Sequence, residues 1–204
     1  MLTGFTAGLL LITISELGDK TFFIAVILAM RHSRKLVFVG VASALATMTI
    51  LSVIFGQLVS FLPQTYLRYG EIILFLAFGI KLLYEASKMS DSNSYEEIEE
   101  AKEAVAKADL QIKSKTPLAI LIEAFTLTFV AEWGDRTQLA TIALAARHSA
   151  VGVATGAVLG HAICTAIAVI GGKLIAGRIS ERQLTFIGGC LFIIFGVVAI
   201  FKEV

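Results

Sequence analysis

Apolar residues run through this chain in continuous stretches, without the short in-and-out alternation of a half-buried strand or a membrane barrel. Six stretches stand out, near residues 2–30, 36–62, 70–87, 117–146, 149–172 and 183–201. About 20 apolar residues carry a helix across the hydrocarbon core of a bilayer, where backbone amides must be bonded within the segment itself. The pattern predicts an all-α integral membrane protein with six transmembrane helices. Over residues 88–115 the character changes: Asp91, Glu96, Glu97, Glu99, Glu100, Glu103 and Asp109 are set among five lysines. Ser94 ahead of Glu97 reads as a capping box, and Ile98, Ala101, Val105 and Ala108 recur at helical spacing. A short amphipathic helix is therefore predicted inside a solvated bridge.

The second half of the chain repeats the first. Glu16-Leu17-Gly18-Asp19-Lys20-Thr21 returns 116 positions later as Glu132-Trp133-Gly134-Asp135-Arg136-Thr137. The same offset carries Arg31-His32-Ser33 onto Arg147-His148-Ser149, Gly40 onto Gly156 and Gly56 onto Gly172. One residue further on, Phe75, Phe78 and Gly79 fall on Phe192, Phe195 and Gly196. Agreement over such a length predicts a duplication of three helices. An odd number of spans inserts the two copies with opposite orientation, so the expected fold is two inverted three-helix repeats, residues 1–87 and 116–204, joined by the linker 88–115.

Composition fixes the class. With 57% hydrophobic and only 16% charged residues and a mean hydropathy of +0.85, the 204 residues do not describe a soluble domain. The formal net charge of +1, with no basic stretch interleaved with aromatics, argues against a nucleic-acid partner. Cys164 and Cys190 have no counterparts in the other half and read as packing residues. The first apolar run holds Glu16 and Asp19 where a cleaved leader would end in small residues, and no Arg/Ser-rich transit sequence is seen. A retained first segment in a bacterial plasma membrane or a thylakoid-type internal membrane is expected. Eleven loop Lys and Arg gather on one side of the predicted topology, against Arg68, Arg147 and Lys202 on the other. That bias places both termini outside and the central linker in the cytoplasm.

Charged groups inside apolar runs are expensive, about 2.5 to 3.5 kcal/mol each at a helix centre, so the two acidic motifs must recover that cost by pairing or by binding a ligand. On a helix, residues three apart share a face, so Glu16 with Asp19 and Glu132 with Asp135 present paired carboxylates. If the motifs meet near the midplane, four carboxylates converge. Carboxylate oxygens suit Ca²⁺, Mn²⁺ and Mg²⁺, and Mg²⁺ sheds its water reluctantly. Gly18 and Gly134 either open the helix or permit close packing. Thr21 and Thr137 either add hydroxyl ligands or bond their own helix carbonyls. Lys20 and Arg136 stand four residues after the glutamates, the spacing of an ion pair. Ser15 and Gln138, matched by Ala131 and Phe22, make the two copies unequal. Cations and protons compete for such acids, which points to exchange. His161 is read as bonded to a neighbouring helix in preference to a proton relay. His32 and His148 are read as interfacial, and Glu71 and Glu123, near helix starts, are left outside the site.

The doubled E-x-G-D-(K/R)-(T/S) pattern resembles that of the manganese/calcium cation–proton antiporter family of Golgi, chloroplast and bacterial membranes, formerly uncharacterised protein family sixteen. The resemblance implies a secondary transporter that exports Mn²⁺, or after it Ca²⁺, from the cytosol in exchange for protons, with Glu16, Asp19, Glu132 and Asp135 as metal ligands. It implies no cofactor, the metal being cargo, and no enzymatic activity. Monomer and homodimer both fit. An intramembrane metal-dependent lipid pyrophosphate hydrolase and a six-helix amino-acid exporter remain as alternatives. Against the hydrolase, Ser15 and His161 each occur once and only Lys20 and Arg136 are at hand to hold phosphates. Against the exporter stands the excess of acid.

Overall fold

The computed structural model describes residues 1–89, 96–109, 116–175 and 181–201. These form nine helices and no strand: α1 (Leu2–Glu16), α2 (Lys20–Arg31), α3 (Arg34–Val59), α4 (Gln64–Lys88), α5 (Glu96–Asp109), α6 (Pro117–Ala131), α7 (Arg136–Arg147), α8 (Ala150–Ile175) and α9 (Glu181–Phe201). Asp91, Ser94, Lys113, Lys115, Arg178 and Lys202, used above for capping and charge balance, lie outside the described residues, as do the side chains of Glu96, Glu97, Asp109 and Lys173.

Two of the six apolar runs are not continuous helices. The run 2–30 is split between α1 and α2, and the run 117–146 between α6 and α7, which meet at a bend of 75°. Each break falls on an acidic motif. Among the described residues, α3, α8 and α9 are long and apolar enough to cross a membrane alone, and α6 with α7 meets the same criteria as a bent pair. The run 70–87 lies within α4, which starts earlier, at Gln64 directly after Pro63.

Packing follows the internal offset. The helix α1 lies on α8 and α6 on α3, α2 contacts α8 as α7 contacts α3, and α4 pairs with α9. Close approach is made by small residues at matching places. A Cβ built on Gly40 of α3 would stand 2.8 Å from the Leu121 carbonyl oxygen of α6, and one on Gly156 of α8 would overlap the carbonyl oxygen of Phe5, which is 116 positions before Leu121. Backbone oxygens cannot swing aside as a flexible side chain does. Gly156→Ala is therefore expected to destabilise the protein by about 1–3 kcal/mol, read as a lowered Tm in detergent, and more than Gly70→Ala, where nothing lies within 4 Å.

The linker helix α5 is docked. Its Ala101 and Val105 are fully buried in a cluster with Phe22, Ala25 and Val26 of α2. On its charged side Lys102 pairs with Glu99 and Lys107 with Glu103. The amphipathic spacing read from the sequence thus serves to pack the linker against the second half of the first broken run.

Candidate cation site

Gly18 and Gly134 are the residues of positive φ among those described, at +80° and +84°. That region is open to glycine and costly for side chains with a Cβ. Each glycine turns the chain so that a glutamate closes one helix and an aspartate opens the next: Glu16 ends α1 and Asp19 precedes α2, while Glu132 follows α6 and Asp135 precedes α7. Glutamate and aspartate of one motif therefore do not share a helical face, although their spacing predicts one. They flank a break. Close packing does not explain Gly134, which has nothing within 4 Å of a built Cβ, so opening the helix is what the two glycines have in common.

The breaks bring acids from both halves together. Oxygens of Glu16, Asp19 and Glu132 lie within 4.8 Å of one another, with Glu16 2% and Glu132 3% exposed. Two oxygens on opposite sides of a hard cation, each at about 2.3–2.6 Å, would be separated by about that span. Glu16 Oε1, Glu132 Oε1 and Ser15 Oγ are buried without hydrogen-bond partners among the described residues. Groups of this kind are costly unless something coordinates them.

Asp135 is held differently. Its carboxylate accepts from Gln138 N at 2.7 Å, Thr137 N at 3.1 Å and Thr137 Oγ1 at 2.8 Å, capping α7, while Gln138 Oε1 accepts from Gly134 N at 2.7 Å. Asp19 makes no side-chain cap to α2 and instead receives Arg136 Nη2 at 2.9 Å from the other half. The two aspartates, equal in sequence, are engaged differently. Asp19→Asn is accordingly expected to weaken metal binding by about tenfold or more through loss of a charged ligand. Asp135→Asn should cost less in affinity and show mainly as a lower Tm, of the order of a lost cap, about 1 kcal/mol. Titration of purified protein with Mn²⁺ beside a melting curve checks both.

The basic residues reach acids beyond their own motif. Arg136 crosses to Asp19, and Lys20 Nζ reaches Glu100 of α5 at 2.9 Å. A glutamate that ends its helix no longer stands one turn below the following base. Thr21 Oγ1 donates to Glu16 Oε2 at 3.3 Å and Thr137 Oγ1 to Asp135, so both hydroxyls serve motif acids rather than helix carbonyls.

Glu71 and Glu123 lie outside this cluster, but neither is a surface acid at a helix start. Glu123 is buried near His32, at 3.8 Å, whose side chain is 4% exposed, and Glu71 pairs with Arg147 and, at 3.7 Å, with His148. The repeated Arg-His-Ser tripeptide was the signal that these corners share a task, and reading its histidines as interfacial missed the buried partners. His161 is buried on α8, and its Nδ1 makes no hydrogen bond among the described residues. Cys164 and Cys190 are free thiols, and Cys164 Sγ contacts the Thr13 carbonyl at 3.3 Å.

Comparison with known proteins bears on what this cluster does. The profile of a family described as divalent cation/proton antiporter GDT1 matches residues 4–90 and 120–204. GDT1-like protein sll0615 of Synechocystis sp. is 59% identical over 200 residues, covering 98% of this chain and 97% of that protein. GDT1-like protein 4 of Oryza sativa subsp. indica is 46% identical over 97% of this chain and 73% of its own length. The protein named PAM71-homolog, chloroplastic, of Arabidopsis thaliana is 44% identical over 98% of this chain and 59% of its own. No solved structure matches.

Proposed function

Since the chain belongs to the GDT1 family of divalent cation/proton antiporters, we propose that it exports Mn²⁺, and after it Ca²⁺, from the cytosol in exchange for protons, and that Glu16, Asp19 and Glu132 hold the cation. The observation that carries this reading is the meeting of the three carboxylates, from both halves of the chain, in a buried cluster. The four motif carboxylates, Glu16, Asp19, Glu132 and Asp135, against Lys20 and Arg136 leave a formal excess of two negative charges. One divalent cation balances it, and so do two protons. A poorly solvated pocket tolerates neither the bare excess nor both partners together, so occupancy by one favours departure of the other. Oxygen donors alone favour a hard ion. Asp135, Thr137 and Gln138 hold the opening turn of α7 in place. Thr21 orients Glu16, and Ser15, Gly18, Gly134, Lys20 and Arg136 complete the surround.

In this account α1 with α2, and α6 with α7, are broken spans that complete six with α3, α4, α8 and α9, in two inverted halves, 1–87 and 116–204. Support comes from the exchanged packing of α1 on α8 and α6 on α3. Helices broken at the site, with their termini around the ion, are the membrane solution to holding a charge in apolar surroundings. The linker 88–115 with α5 faces the cytoplasm and both termini lie outside, on the strength of the basic loop bias.

The test is purified protein in vesicles loaded with a pH dye. External Mn²⁺ is expected to raise the internal pH as protons leave, with Ca²⁺ weaker. Mn²⁺ uptake with no pH change, or neither, overturns the proposal, and phosphate release from a lipid pyrophosphate would favour the hydrolase.

A further inference from the structure

The end of the molecule away from α5 holds a group of charges that the cation site does not use. Glu71 of α4 pairs with Arg147 of α7, with side chains 3% and 8% exposed, and His148 Nε2 lies 3.7 Å from the same carboxylate. The partners come from different halves of the chain. A buried pair of this kind gains little over apolar contact once desolvation is counted, and intramembrane charge is kept mainly where it has work to do. A cavity of about 110 Å³ lies against the pair, lined also by Ala7, Phe75 and Leu144. Leu11, Phe75, Leu144 and Phe192, each no more than 2% exposed, make an apolar layer at this end.

The opposite end holds the matching corner, where Glu123 lies 3.8 Å from His32. There a cavity of about 60 Å³ between the end of α4 and the start of α9, lined by Glu85, Met89 and Leu184, reaches Asp19 and Arg136. Of the two cavities, the one at the end of α4 touches motif residues, whereas the one beside Glu71 and Arg147 is lined by none of them and is bordered by the apolar layer.

We infer that Glu71 and Arg147 form the gate on the face away from α5, closed in this structure, and that their separation admits water to the cavity beside Ala7 in the other half of the transport cycle. The inference rests on the transport reading for its cycle. The two residues touch no cargo; they hold α4 against α7. Because the pair ties α4 to α7, any movement of one of these helices against the other must stretch or break it.

Thiol accessibility tests this without measuring transport. Ala7→Cys is introduced with Cys164→Ser and Cys190→Ser, and a membrane-impermeant thiol reagent is applied to reconstituted vesicles. Slow modification is expected with the gate intact, about tenfold faster modification in Glu71→Gln and in Arg147→Gln, and return toward the slow rate in the charge-swapped pair Glu71→Arg with Arg147→Glu. Rates within about twofold of one another across all four proteins overturn the gate. Should the single variants fail to insert, the intact pair answers alone: the rate must differ between Mn²⁺-loaded and metal-free vesicles at one pH, and equal rates overturn it. If Mn²⁺ drives no proton flux yet the variants open the cavity, the gate stands and the antiport reading falls. Flux with no change in accessibility gives the reverse.

Discussion

Glu132→Gln is expected to abolish Mn²⁺-driven proton movement while leaving the protein folded and inserted. The carboxamide nearly keeps the shape and removes one charge, so the formal excess drops from two to one and neither a divalent cation nor two protons balances it. A lost charged interaction costs about 1.5–3 kcal/mol, or roughly 10–100-fold in affinity. That is a lower bound here, because the balance of charge fails as well as the contact. Glu16→Gln should behave alike, since both side chains are buried in the same cluster. Glu100→Gln is the contrast: its pair with Lys20 is exposed, 60% on the glutamate side, and such pairs contribute about 0–1 kcal/mol, so transport should change by no more than a few-fold. Dye-reported flux at several Mn²⁺ concentrations separates the three.

Gly18→Val and Gly134→Val carry the second large effect. Both positions have positive φ, and a β-branched residue there is an outlier that the chain relieves by straightening the turn. Straightening moves Glu16 away from Asp19, or carries Glu132 away from both, and dissolves the cluster. The backbone cost alone is about 1–2 kcal/mol for a residue with a Cβ. The two glycines also differ in a way that alanine exposes. A Cβ at Gly18 would lie 2.5 Å from Leu184 Cδ1, the tip of a flexible side chain, whereas at Gly134 nothing is near. Leu184→Ala should therefore improve the stability of Gly18→Ala and leave that of Gly134→Ala unchanged, measured as Tm in detergent. Equal behaviour of the two pairs would show that the contact with α9 is immaterial.

The internal repeat is visible in the sequence as identity at a fixed spacing, and two close contacts recur at the same offset: Gly40 meets Leu121 as Gly156 meets Phe5. Charge inside an apolar run demands a partner, which led to the expectation that four carboxylates meet; of these, oxygens of Glu16, Asp19 and Glu132 lie within 4.8 Å of one another, while Asp135 caps α7. What the spacing misled was the local geometry. A helical face was assigned to Glu16 and Asp19 because hydropathy is blind to a break, and only the glycine between them hinted at one. The partners of Lys20 and Arg136 were out of reach for the same reason, since a base that leaves its own helix turn pairs according to tertiary placement. The Asp19 and Asp135 asymmetry had a trace in the exchange of Phe22 for Gln138, whose side chain bonds Gly134 N. Glu71 and Glu123 had none in their own half, because each finds its histidine in the other.

A structure of the protein soaked in Mn²⁺, with anomalous scattering recorded at the metal edge, tests the cation site most directly. A single strong peak is expected among the oxygens of Glu16, Asp19 and Glu132, at coordination distances of about 2.1–2.6 Å, and it should vanish in Glu132→Gln. A peak elsewhere in the protein with this cluster empty, at a Mn²⁺ concentration that drives proton flux, would contradict the account.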